Sequence, residues 1–288
     1  MTYLVLSGAL ARFAARARFA ALVVLLSASL AEPASAYVQY TTSDDETRLR
    51  WFSSQIDIWY DNNPPVDLTE SGARTAIENA YQRWSSLTCS GVSSPFTFDF
   101  VGDRACTVGF DDTQGAVNES CVIWVTNKLA WIHGDSVLAL TSLTFNDVTG
   151  EIIDADLELN DAGFEFVTGG CVPPRIDLAN TVVHEAGHVL GLHHSKESEA
   201  TMHSMAPPCE TKKADLHQDD IDGYCAMYGP DAPLKPTPAE PDTGGGGSGC
   251  CIQAGQPGAA GMPGSLAVVL LLLAGLARGA SSARRRGR

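Results

Sequence analysis

No apolar run in this chain reaches the roughly 20 residues that a bilayer-spanning helix needs. The stretch LAVVLLLLAGLA (266–277) has twelve. There is no C-x-x-C pair, which excludes a zinc knuckle built on paired thiolates. There is no internal repeat, so solenoids and propellers drop out. Basic residues are scarce. Between positions 37 and 277 stand 11 Lys and Arg against 33 Asp and Glu, a balance of −22, while the whole chain carries −15. Such a surface repels phosphates and anionic lipid, so nucleic acid is not an expected partner.

What is present suffices for a folded domain. The 288 residues are 44% hydrophobic, enough for a core and for one or two domains. The first 36 residues read as an export signal. Arg12, Arg16 and Arg18 precede the apolar FAALVVLLSASLA (19–31), and Ala34-Ser35-Ala36 is a small-x-small cleavage site. The mature chain then starts at Tyr37. Export suits the six cysteines between 37 and 230, at 89, 106, 121, 171, 209 and 225. An even count in an exported chain predicts disulfides. Fifteen pairings are possible; Cys209–Cys225 is the one pairing expected here, pinning the last helix to the loop before it.

QIDIWY (55–60) reads as a strand closed by a turn at 61–65. Residues 70–87 have apolar side chains at helical spacing. FTFDF (96–100), CTVGF (106–110) and CVIWVT (121–126) are β-rich runs, and VLALTSLTF (137–145) alternates. EIIDADLELN (151–160) is a further strand with Asp154, Asp156, Glu158 and Asn160 on one face. That face is expected to be solvated; the alternative is a Ca2+ site at Asp154, Asp156 and Glu158. A helix starts near Asp177 or Asn180, and another spans about 217–228 with Asp219 and Asp220 in its first turn. The order predicts an α+β fold: a twisted sheet covered on one side by helices.

From Pro230 the composition shifts. Residues 231–249 form a Pro- and Gly-rich linker. Residues 250–288 hold Cys250-Cys251, the apolar twelve and the terminal RRRGR. Arginines at that end should stay cytoplasmic. The tail resembles the C-terminal surface-sorting signals of the MYXO-CTERM type. The resemblance implies processing and membrane or cell-surface anchoring near the cysteines.

The chemistry concentrates in HEAGHVLGLHH (184–194). His184 and His188 lie four residues apart, about 40° around a helix, so both imidazoles leave one face toward one metal. Glu185 sits one step round, able to lean over the metal but not to ligate it. A catalytic zinc takes three protein ligands and keeps an open position. A straight helix would aim His194 about 80° away and more than two turns on. The chain must therefore turn, and Gly191 is placed to take the left-handed conformation that ends helices. Geometry then allows either His193 or His194 as the third ligand.

The whole pattern His184-Glu185-x-x-His188-x-x-Gly191-x-x-His194 is similar to the metzincin signature. The resemblance puts the third ligand on His194 and leaves His193 spare. Met202 in Ala200-Thr201-Met202-His203 resembles the methionine turn of the matrixins, with His203-Ser204 where they have Tyr-Pro; Met205 is less suited. Leu216–Gly223 and Met227-Tyr228-Gly229 resemble the two ends of the last matrixin helix. Together these motifs resemble a matrixin catalytic domain over 50–230, within a domain expected to run over 37–230. They imply a twisted, mostly parallel sheet of about five strands with three helices and one catalytic Zn2+. Residues 37–54 are too few for the usual matrixin prodomain and hold no cysteine-switch motif. His133-Gly134-Asp135 resembles part of a structural zinc site but reads as a polar turn.

The resemblance implies an endopeptidase in which Glu185 serves as general base. A protein or peptide substrate would lie along 139–143, walled by 204–208. The chain would act as a monomer, exported to the surface or beyond. The alternatives are a surface-anchored zinc-binding module or adhesin with little protease activity, and a zinc hydrolase of a non-peptide bond.

Overall fold

A computed structural model describes residues 36–43, 47–110 and 119–232, together with the backbone of 268–269 and 273–274. The expected export signal before Ala36 lies outside the described residues, as do nearly all of the linker and sorting tail. Among the described residues, no helix is long and apolar enough to cross a membrane.

The sheet carries five strands: β2 (Gln55–Asp61), β3 (Thr97–Arg104), β4 (Ser120–Trp124), β5 (Ala139–Phe145) and β6 (Ile152–Leu159). Their order is β5-β6-β4-β2-β3. β3, β2, β4 and β6 run parallel, and β5 is antiparallel on β6. Val268–Val269 pairs antiparallel with Leu143 and Ser142 of β5. The expected α+β class and mostly parallel sheet are what the chain adopts. β2 buries Ile56, Ile58 and Tyr60 at alternate positions, whereas β4 is buried throughout, as a central parallel strand covered on both faces must be.

Three helices follow in the described chain: α1 (Glu70–Ser85), α2 (Leu178–Val189) and α3 (Gln218–Tyr228). Thr69 caps α1 by accepting from the Gly72 N–H, and Glu70 sits in its first turn, where an acid suits the helix dipole. α1 buries Ala73, Ile77, Ala80, Tyr81 and Trp84. The Trp84 indole N–H donates to the Val183 carbonyl at 2.9 Å. That bond locks α1 to the helix that carries the motif.

Three expectations need correction. Residues 106–110 are not a strand; they form a loop that Cys106 ties to Cys121 at the start of β4. Cys209 does not pair with Cys225. The bridges are Cys89–Cys225, Cys106–Cys121 and Cys171–Cys209. Cys225 on α3 faces the 88–93 hairpin, while Cys209 lies beside Arg175, whose carbonyl its N–H meets at 3.0 Å. Nor is the acidic face of β6 solvated: Asp154, Asp156, Glu158 and Asn160 are all buried. Loops fold over it, and Trp131 and Val137 pack there against Cys121, Ile123, Val125 and Leu140 in a second apolar cluster.

Candidate metal centre

α2 starts where Asp177 accepts the Asn180 N–H at 2.8 Å, an N-cap interaction. The helix runs through the core, so His184, Glu185 and His188 are fully buried. It stops at Leu190, and Gly191 turns the chain with φ +95°. A Cβ at Gly191 would fall 2.7 Å from the Leu49 carbonyl oxygen and 2.9 Å from Met227 Cε. Only glycine satisfies both the angle and the space. Past the turn, Leu192–His193 (β7) pairs antiparallel with Val38–Gln39 (β1), and His194 comes back over the helix.

One ligating atom from each of His184, His188 and His194 lies within 4.8 Å of the others, and among the described residues theirs is the one such cluster of three. The Nε2 atoms of His184 and His188 are 3.1 Å apart. Nδ1 of His184 donates to the Thr201 carbonyl at 2.6 Å, and Nδ1 of His188 to the Leu192 carbonyl at 2.7 Å. These bonds assign the proton to Nδ1 and leave each Nε2 lone pair free. His194 Nε2 is buried with no hydrogen-bond partner. His193 points elsewhere: its ring lies against Tyr40 with centroids 4.5 Å apart and planes tilted by 38°, and its Nδ1 accepts from the His194 N–H. Burial is the largest influence on all three clustered histidines. It holds His184 and His188 well below the usual imidazole range and pulls His194 down to about 4. They are therefore neutral near pH 7, the form that binds a metal.

Glu185 leans over the cluster. Its Oε2 accepts from the Thr141 hydroxyl at 2.7 Å, and its Oε1 is buried without a partner. Burial pushes its carboxyl up to about 8, against the opposing Thr141 hydrogen bond. Free Nε2 lone pairs, an orphaned ring nitrogen and an orphaned carboxylate oxygen fit a divalent cation with nitrogen ligands, the donor set of zinc.

Beneath the cluster lies Met202, buried. A Cβ at Gly187 would fall 2.4 Å from its Sδ and 2.8 Å from Trp84 Cζ2, so Gly187 is the seat for the thioether. Asp220 on α3 holds this turn, accepting from the N–H groups of Thr201 (2.7 Å), Met202 (2.9 Å) and His217 (2.9 Å). A matrixin family model matches residues 50–229, which take in the three clustered histidines, Glu185, Gly191 and Met202. The chain belongs to the matrixin family. This matrixin is 48% identical to Metalloendoproteinase 1 of Glycine max over 196 residues, covering 66% of this chain and 55% of that protein. It is 29% identical to Metalloendoproteinase 1-MMP of Arabidopsis thaliana over 180 residues, 58% of this chain and 41% of that one. With Stromelysin-1 of Mus musculus it shares 29% over 213 residues, 67% of this chain and 38% of that one. The matrixin spans about half the length of the curated relatives it matches. Its three disulfides and these relatives accord with an extracellular protein.

The acidic residues of β6 do not gather at one point in this matrixin. The charge of Asp154 acts on Asp156, and Asp156 accepts from the N–H groups of Gly109 (2.7 Å) and Cys121 (3.1 Å). Glu158 turns to His133 at 3.1 Å. Thr141, Gly187, Lys213 and Asp220 were not singled out from the sequence as site residues. The Asp219-Asp220 pair was the available signal, read only as helix-dipole acids.

Proposed function

We propose that this matrixin is a zinc-dependent endopeptidase acting on extracellular proteins, as a monomer, through His184, His188 and His194 as metal ligands and Glu185 as general base. The observation that carries the reading is Glu185: a carboxylate with one oxygen pinned by Thr141 and the other free beside three metal-ready nitrogens. A structural zinc site closes its fourth position and needs no such base, so a non-catalytic binding module leaves Glu185 without a task. A zinc ion held there supplies a Lewis acid for the scissile carbonyl and for the attacking water. Glu185 Oε1 accepts the water's proton and returns it to the leaving amine nitrogen. Thr141 fixes the carboxylate so that the proton moves without reorganisation. β5 is the outermost of the five strands, and Val268–Val269 already pairs with it at Leu143 and Ser142; an extended peptide would take that same place along Ala139–Leu143 as one more strand. Residues 204–208 wall the specificity pocket. Digestion of casein or gelatin, with and without a chelator, tests the proposal. Chelator-sensitive cleavage is expected; a zinc-loaded protein inert on both, or one that cleaves only non-peptide esters, overturns it.

The domain reading belongs to the same proposal: an export signal over 1–36, the catalytic domain over 37–230, a linker over 231–249 and a sorting segment over 250–288 that anchors the protease at the cell surface. Cleavage after Ala36 is supported by the position of Tyr37, whose backbone nitrogen lies 3.0 Å from Asp219 Oδ1. The calcium reading narrows to Asp154 and Asp156. Asp154 Oδ1 is buried and without a partner, an oxygen that a hard cation would take up, while Glu158 is engaged by His133.

A further inference from the structure

We propose that Lys213 is a positioning residue of the metal centre, acting through the Thr201 carbonyl to weaken zinc binding and strengthen zinc as a Lewis acid. The inference rests on the histidine cluster being the zinc site.

Lys213 lies in a short 3-10 turn (Lys212–Ala214) and is wholly buried. Its Nζ donates to the Thr201 carbonyl at 3.3 Å and to the His203 carbonyl. The Glu210 carboxylate stands 3.8 Å away. The Thr201 carbonyl is also the acceptor for His184 Nδ1 at 2.6 Å. One oxygen thus takes a proton donor from a metal ligand on one lone pair and an ammonium on the other.

A methionine of similar length would fill the same space without burying a charge, so the charge itself needs a reason. A carbonyl that accepts from a ligating imidazole makes that ring a better electron donor to the metal. An ammonium on the same carbonyl draws the density back. A fixed cation in a dry site also opposes a second cation. Both effects have one sign: looser metal, stronger Lewis acid. The field reaches the cluster, since the Lys213 charge lowers the protonation of His184, His188 and His194 alike. Burial pulls the Lys213 ammonium down to about 8, with Glu210, Asp220 and Glu199 opposing and Lys212 adding to the fall. It therefore remains a cation at pH 7.

The test compares wild type with Lys213→Met and with the double variant Lys213→Met/Glu210→Gln, which leaves no carboxylate unpaired. Zinc affinity is read by competition with a chromophoric chelator, and the acid limb of kcat/KM is followed on a peptide substrate. Both variants are expected to bind zinc about ten-fold more tightly. Their acid limb is expected to move up by about half a unit to one unit. A residue that merely clamps the methionine turn gives the opposite pattern: unchanged or weaker zinc binding, an unmoved acid limb and a lower melting temperature. That result overturns the proposal, and so does failure of both variants to fold. If wild type itself binds no zinc, the site reading fails instead.

Discussion

At the scale of single residues, the site divides labour between atoms of one side chain. Oε2 of Glu185 is held by Thr141 and Oε1 is left for chemistry. Glu185→Gln keeps shape and removes the base, so kcat on a peptide substrate should fall by about 10²–10⁴ with zinc content unchanged. An active Gln variant would refute the assignment. The histidine pair at 193 and 194 gives a second test. Of the two, only His194 belongs to the ligand cluster, whereas the His193 ring lies against Tyr40. Metal analysis of His194→Ala should show zinc largely lost, and His193→Ala should hold zinc near wild type; equal losses would reverse the choice. His184, Glu185, His188 and Gly191 were legible because one helix and its stop encode their geometry within eight residues. Thr141 and Lys213 were not, because their contacts with Glu185 and Thr201 span 44 and 12 positions, and no local pattern carries such a span.

At the scale of elements, the strands and helices read well where alternation or helical spacing ran long. They failed where cover came from elsewhere. β6 alternates acid and apolar, which locally predicts a wet face. The loops that bury it are specified by Trp131, Val137 and the Cys106–Cys121 bridge, far along the chain. Burial raises the pKa of both Asp154 and Asp156, the latter to about 8, with the Asp154 charge adding to the rise. A carboxyl raised in the folded state stabilises at low pH, and that contribution is lost as pH rises through the folded value. The clustered histidines act oppositely, since their lowered values cost stability below about pH 6.5. Above pH 6.5 the histidines no longer contribute, and the fall is shared between the aspartate pair and Glu185, whose carboxyl burial also raises to about 8. Between pH 6.5 and 9, calcium-free protein should melt at progressively lower temperature, and added calcium should cancel the aspartates' share of the fall. Asp154→Asn should lessen the fall, leaving the part that belongs to Glu185, and abolish the calcium response. A wild-type curve indifferent to calcium would leave a shared proton between the two aspartates as the better description.

At the scale of the molecule, the amino-terminal end of the domain is tied to its last helix. The Ala36 and Tyr37 N–H groups both reach Asp219 Oδ1, at 2.7 and 3.0 Å, and Asp219 Oδ2 takes the Ser195 hydroxyl at 2.6 Å. Ser195 follows the ligand His194 directly, so this carboxylate links the start of the domain to the metal loop. In an uncut chain these are amide donors. The proposed cleavage after Ala36 would replace them with the Tyr37 ammonium, which adds a charge–charge attraction to a bond already assisted by the carboxylate. Under the proposed cleavage after Ala36, export processing would tighten the metal loop through Asp219. A protein beginning at Tyr37 should melt about 2–4 °C above one that keeps residues before it, for each kcal/mol the ammonium adds. Asp219→Asn should erase that difference while leaving both proteins folded. Equal melting temperatures for the two wild-type forms would show that Asp219 is satisfied by the amides alone, and the link between processing and the metal loop would then fall.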